Sequence, residues 1–339
     1  MIFEMSCKKM NPDIDRSITL EKYTEIWVQT IAPDKLAKST LVREKQDIER
    51  FKPYLGSYKL VDLRPEHFRS LYTKLRKQKN KATGKPLSEA TVEGVHSCLC
   101  GILSDAMEGG YLDHNPAWRT YKYAGQKKEK KIADDETVKK LIKALEAGSI
   151  LYEAYFKLII ATGMRRGECC GLKWCDIDWE QRSIHICRNA VKVTDEEIFV
   201  KEPKTHAGNR YMYFSAEMES LLREYRQECA YITETYDQRK LTTDDFLFRR
   251  QGAQLPMTPT TFTYRFKLIL KKNGLPQELN VHSLRHTAAS LMIAGGTDVA
   301  TVAGILGHSQ PSTTLDIYTH AFDKNKKAAS AKLQEGLDI

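Results

Sequence analysis

Apolar positions recur at helical spacing through most of the first third of the chain. Leu20, Tyr23, Ile26 and Trp27 lie three and four residues apart, as do Phe68, Leu71, Tyr72 and Leu75, so each set predicts one face of an amphipathic helix. Ser39 and Thr40 offer a cap for a helix through Phe51, with Pro53 and Gly56 as its breakers, and Pro65 opens the next helix. After the basic, turn-rich stretch 77–85, Ser88 caps a longer helix that carries Val92, Val95, Leu99, Leu103 and Met107 and ends at Gly109-Gly110. Four helices with short connections predict a small bundle over 18–116, preceded by a short extension over 1–17. Arg76, Lys77, Lys79, Lys81 and Lys85 are its candidate phosphate contacts, equally readable as a solvated loop.

The pattern changes after Asn115-Pro116. Residues 117–131 mix aromatics with Lys127, Lys128, Lys130 and Lys131 and have no apolar periodicity, which predicts a basic linker. A second domain is expected over 132–339. Asp134 or Asp135 caps a helix with Val138, Leu141, Ile142 and Leu145 on one face, and 151–161 is apolar enough for a core helix that Thr162-Gly163 interrupts. Alternation and β-branched or aromatic content predict strands at 183–187, 198–200, 211–214 and 246–248, with a hairpin tip around Lys204 between the second and third. Ser215 caps a long helix, and another spans 260–272.

In the next helix His282 and Arg285 share a face while Leu284, Ala288, Leu291 and Met292 look inward, up to Gly295-Gly296. Thr297 caps a last helix with Val299, Val302, Ala303 and Leu306, which Gly307 ends just before His308. The expected fold class is mainly α with a small antiparallel β-sheet.

Composition narrows the partners. A length of 339 residues suits two domains. Lys plus Arg outnumber Asp plus Glu by 53 to 44, a formal charge of +9, which favours nucleic acid over a membrane surface. No apolar run approaches the roughly 18 residues needed to span a bilayer. The stretch from Met1 to Met10 lacks the apolar core of a signal peptide, so a cytoplasmic protein is expected. The 8 Cys show no C-x-x-C spacing, and Cys169, Cys170 and Cys175 read as reduced thiols rather than a zinc site. No metal and no cofactor is expected.

Several polar groups stand out against this background. Arg165, between a buried helix and a following helical turn, needs either a carboxylate partner or a ligand anion, and Glu168 three residues on is the nearest candidate. Lys204 on a hairpin tip is either solvated or a proton donor. Tyr318 is one of 16 Tyr, and nothing local distinguishes it.

Five segments taken together distinguish all of these. Ala161-Thr-Gly-Met-Arg165-Arg-Gly-Glu168, Pro203-Lys204-Thr205 before Arg210, His282-Ser-Leu-Arg285-His286-Thr287, Leu306-Gly-His308-Ser309 and Thr313-Thr-Leu-Asp-Ile-Tyr318-Thr-His320 occur in this order. The chain thereby resembles the tyrosine recombinase (phage integrase) family, from about residue 18 onward. The resemblance implies a SAM-like, helical core-type DNA-binding domain followed by the recombinase catalytic domain. About seventeen residues precede the first helix, too few for the further arm-binding domain common in the family, so that module is expected to be lost or dispensable.

The resemblance also implies roles. Tyr318 attacks the scissile phosphate to give a 3′-phosphotyrosyl link, which stores the bond energy until a new 5′-hydroxyl attacks. Arg165 and Arg285 neutralise the non-bridging oxygens with forked donors, His308 adds another donor, His282 assists proton transfer at the tyrosine, and Lys204 protonates the leaving 5′-oxygen. Glu168 braces the site. Arginines supply the charge a metal would otherwise bring. The implied partners are double-stranded DNA attachment sites, a homotetramer on DNA, and an excisionase or host DNA-bending protein, with no membrane.

The tail Asp323 to Gly336 is expected to form an amphipathic helix that docks on a neighbouring protomer. A Xer-like dimer resolvase and a type IB topoisomerase are the competing enzymes. A DNA-binding regulator without catalysis is disfavoured because every catalytic group is present in the sequence.

Overall fold

The computed structural model of the chain describes residues 15–80, 83–123, 131–193, 197–202 and 208–307. The chain divides into two compact units, Met1–Lys128 and Glu129–Ile339.

The first unit is helical: α1 (Leu20–Ile26), a π-helical turn (Trp27–Ile31), α2 (Ala32–Lys35), α3 (Lys38–Leu55), α4 (Pro65–Lys77) and α5 (Glu89–Glu108). Leu20, Tyr23 and Trp27 enter its core as the spacing predicts, but Ile26 is exposed and Thr24 is buried instead. At about 100° per residue, Trp27 falls between Leu20 and Tyr23, Thr24 lies about 40° to the other side of Leu20, and Ile26 lies about 60° beyond Tyr23, outside the inner face. The buried Thr24 hydroxyl is satisfied by donating to the Leu20 carbonyl at 2.6 Å.

Two boundary expectations fail in α3. The helix starts at Lys38 after Ala37, with no side-chain cap, and it runs through Pro53 to Leu55. Phe51 and Leu55, four apart and both buried, hold the last turn on the core. Burial there outweighs the one hydrogen bond that Pro53 cannot donate. At the N-terminus of α5 the Ser88 hydroxyl caps as expected, accepting from Thr91 N. Arg76 forks onto Glu89 at 3.0 and 2.6 Å, and Tyr121 donates to the same carboxylate at 2.9 Å.

The second unit is built around α7 (Ile150–Thr162), which packs on α6 (Asp135–Glu146), α9 (Ala216–Asp237) and α11 (Val281–Ala294). With α10 (Pro259–Lys272) these helices enclose Phe156, Trp174, Phe248 and Phe266, and Tyr155 stacks on Phe262 with centroids 3.5 Å apart. The short α8 (Arg166–Cys170) follows α7, and α12 (Val299–Leu306) packs on α11.

Among the described residues, five short strands form two antiparallel sheets. β2 (Ser183–Ile186) lies between β1 (Ile177–Asp178) and β5 (Arg210–Tyr213), while β3 (Asn189–Val191) pairs with β4 (Phe199–Lys201). The segments on either side of Lys204 were expected to pair as a hairpin, yet β4 and β5 belong to different sheets. Alternation reports which face of a strand is buried, not which strand it joins.

The expected strand at 246–248 is replaced by isolated bridges from Lys173 to Phe246 and from Arg249 to Pro256. In α11, Leu291 is exposed and Ile293 is buried in its place. The cap of α12 is Asp298, which accepts from Thr301 N at 2.9 Å, rather than Thr297. Among the described residues no helix is long and apolar enough to cross a membrane.

Candidate active site

α7 ends in a left-handed residue, Gly163, at φ +67°. Only glycine fits there comfortably, and a Cβ at this position would also meet Leu306 Cδ2 at 2.5 Å. The turn delivers Arg165 to the N-cap of α8. There Glu168 accepts from Arg165 N at 2.8 Å and from Arg165 Nη1 at 2.7 Å, so one carboxylate fixes both the backbone and the guanidinium of the same residue. The salt bridge anticipated between Arg165 and Glu168 is therefore present. It does not consume Arg165, whose side chain remains 40 % exposed.

The other end of the site is the C-terminus of α12. Arg210 Nε donates to Ile305 O at 2.7 Å, Arg285 Nη2 to Leu306 O at 2.7 Å and Arg165 Nη2 to Gly307 O at 2.9 Å. Three successive carbonyls thus accept from three arginines that come from β5, α11 and the α8 cap. The last carbonyls of a helix lack intrahelical donors and carry the negative end of its dipole, so cations are favoured there. Gly307, at φ +66°, turns the chain out of the helix immediately before His308.

Arg285 is only 2 % exposed and also donates Nη1 to Gly163 O at 2.8 Å, tying the end of α7 to the end of α12. Glu168 is buried as well. Burial by itself would raise its carboxyl pKa, but bonds to Arg210 and the charges of Arg210 and Arg165 outweigh this and hold it below the usual range. Two guanidiniums share the Glu168 carboxylate and Arg285 adds a third positive charge, so the cluster is net cationic, as a site for an anionic ligand requires.

A cavity of about 620 Å³ opens beside this cluster, and Arg165, Arg166, Lys192, Thr260, His282 and Arg285 are among its lining residues. The His282 and His286 rings meet edge to face at 4.5 Å. Arg166 is held by Thr263 Oγ1 at 3.0 Å.

Of the residues singled out in the sequence, Arg165, His282 and Arg285 therefore meet at one cavity with Glu168 behind Arg165. Lys204, His308, Tyr318 and the tail 323–336 lie outside the described residues. Arg210 was not singled out as a site residue. Its signal was present, because Arg210, Met212 and Phe214 share one parity and the latter two are buried, so an arginine sits on the inward phase of a strand.

Comparison with known proteins agrees with this geometry. The phage integrase family model matches residues 131–325, more than half of the chain, and a model of the phage integrase N-terminal SAM-like domain matches 19–76. A tyrosine recombinase XerC-like protein of Caldanaerobacter subterraneus is 26 % identical over 343 aligned positions, covering 94 % of this chain and 84 % of the relative. The ICEBs1 integrase of Bacillus subtilis is 25 % identical over 249 positions, covering 74 % and 66 %.

Among solved structures, the Tn1549 transposon integrase in complex with a circular intermediate DNA superposes with a TM-score of 0.76 at 19 % identity, covering 93 % of this chain and 99 % of that one. A lambda integrase dimer bound to a core site gives 0.62 at 17 %, covering 87 % and 97 %. At such identities the superpositions establish a shared fold. With its motifs, its arginine cluster and the family match over most of the second unit, the chain belongs to the phage integrase family and is a site-specific tyrosine recombinase, an enzyme that cleaves and rejoins DNA strands.

Proposed function

We propose that this integrase cuts one strand of a duplex attachment site by attack of the Tyr318 oxygen on the scissile phosphorus. The new bond is a 3′-phosphotyrosyl link, the P–O5′ bond breaks, His282 assists removal of the phenol proton, and Lys204 gives the departing 5′-oxygen its proton. Arg165, Arg285 and His308 stabilise the charge that builds on the non-bridging oxygens. A 5′-hydroxyl from the partner strand then attacks the phosphotyrosine, reversing these bond changes in the recombinant configuration.

The observation that carries this reading is the meeting of Arg165, His282 and Arg285 at one cavity, with each guanidinium anchored by protein acceptors. Unlike a point charge, such forks match the geometry of a phosphate. Residues 18–116 act as the core-type DNA-binding domain, 117–131 as a basic linker and 132–339 as the catalytic domain. The partners that fit are duplex attachment sites, a tetramer of this chain on DNA, and an excisionase or host DNA-bending protein that sets direction, all in the bacterial cytoplasm. A lambda integrase tetramer bound to a Holliday junction is the related assembly.

The test is a duplex nicked beside the cleavage point, made from the junction DNA of the element that carries this gene. Wild type should trap a covalent adduct and Tyr318→Phe should form none; an adduct that survives in the variant sinks the assignment. One observation favours a second reading, a Xer-like dimer resolvase: the XerC-like relative spans 94 % of this chain. Resolution of a plasmid dimer without integration would select it, whereas relaxation of a plasmid lacking any specific site would point to a topoisomerase.

A further inference from the structure

Arg210 stands at the start of β5, is buried to 8 % side-chain exposure, and has all three of its side-chain nitrogens engaged by protein. Nε donates to Ile305 O at 2.7 Å and Nη2 to Glu168 Oε2 at 3.0 Å, while Nη1 lies 3.4 Å from Glu168 Oε1 and 3.3 Å from Gly208 O. Four of its five N–H donors are thus taken by protein, and Arg210 does not line the cavity that Arg165 and Arg285 share. Its bonds to Glu168 and Ile305 nevertheless reach both halves of the site: Glu168 orients Arg165, and Ile305 belongs to the helix end that Arg165 and Arg285 also bind.

We propose that Arg210 is a positioning residue for strand cleavage, holding Glu168 so that Arg165 keeps its pose toward the phosphate and holding the end of α12 from which the chain continues to His308. This rests on the recombinase reading given above. The physical argument is one of shared charge. Glu168 is a buried carboxylate that divides its attraction between two arginines. Without Arg210 its whole charge would fall on Arg165, drawing that guanidinium toward itself and weakening its pull on a phosphate. The same loss would leave Ile305 O without its side-chain donor at the helix end.

A merely structural ion pair would change stability alone, so the test reads the rate of chemistry. The full chain is mixed in excess with the nicked junction duplex, and covalent adduct formation is followed in a single turnover. Arg210→Gln should slow adduct formation roughly 10- to 100-fold, as expected for a misplaced catalytic group. Affinity for the duplex should stay within about twofold, which separates the chemical step from binding.

Because Arg210 is argued to act through Glu168, the two losses should not multiply. In a Glu168→Gln background the further effect of Arg210→Gln should shrink to within about threefold. If Arg210→Gln does not fold, Arg210→Lys, which keeps a charge but not the fork, replaces it in both arms and should slow adduct formation by roughly 10-fold. Wild-type rates in a folded variant, or slowdowns that multiply in full, overturn the proposal. No adduct from the wild-type chain overturns the recombinase reading instead, and the two failures are therefore distinguishable.

Discussion

Glu168 holds Arg165 twice, accepting its backbone N–H at 2.8 Å and its Nη1 at 2.7 Å. Removing this carboxylate would strip a buried Arg210 of its counter-charge as well as releasing Arg165. Glu168→Ala is therefore expected to cost about 3–5 kcal/mol of unfolding free energy, the range for breaking one side of a buried pair. Denaturant unfolding at neutral pH measures it, and a loss below about 1 kcal/mol would show that the pair is not what holds this corner.

Gly163 links the two halves of the cluster, since its carbonyl accepts from Arg285 at 2.8 Å while its α-carbon sits against Leu306. Gly163→Ala forces a Cβ into a left-handed residue and into contact with Leu306 Cδ2. The strain alone is about 1–2 kcal/mol, with overpacking added to it. Gly101 in α5 is the contrasting case, because a Cβ there meets nothing within 4 Å. Gly101→Ala should stabilise by about 0.5–1 kcal/mol through helix propensity. The two thermal midpoints should move in opposite directions, and a parallel shift would contradict both arguments.

Much of this arrangement was legible in the sequence, and the exceptions have identifiable causes. Helical periodicity located α4, α5 and α6, because one wet and one dry face leave a repeat that survives small boundary errors. It misassigned Ile26 and Leu291, which are exposed while Thr24 and Ile293 are buried in their place. Strand partners were not legible: β4 and β5 read as one hairpin, but nothing in their alternation encodes that β5 joins β2. In the site, Arg165, Glu168 and Arg285 were found through their motifs. Arg210 was overlooked because its role lies in a contact 95 residues away in the chain, with Ile305.

Arg165→Lys tests the fork directly. Arg165 reaches Glu168 with one terminal nitrogen and Gly307 O with the other, a geometry that a single ammonium cannot reproduce. The variant should fold and bind the junction duplex, while covalent adduct formation falls by about 10²–10³-fold, as when one donor to a developing charge is removed. Adduct formation within about threefold of wild type would show that charge alone suffices and remove the fork from the mechanism.

Asp245 supplies a prediction about acid. It is buried and accepts from both terminal nitrogens of Arg239 at 2.8 and 2.5 Å, and from the backbone and hydroxyl of Thr242 at 2.8 and 3.1 Å. Its own carbonyl receives Trp174 N at 3.0 Å, so this carboxylate closes a loop against the core of the second unit. The bond from Arg239, with those from Thr242, outweighs burial and lowers the carboxyl pKa from 3.8 to about 2.

A carboxyl depressed in the folded state stabilises the fold above its unfolded pKa, and that contribution disappears as the pH falls through the folded value. Asp245→Asn should therefore lose on the order of 1–2 kcal/mol at neutral pH. The gap between wild type and variant should stay constant down to about pH 5 and narrow progressively below about pH 4. Denaturation midpoints measured in parallel across that range check it. A gap that widens toward acid would mean that Asp245 is protonated in the folded protein and that Arg239 is not its counter-ion.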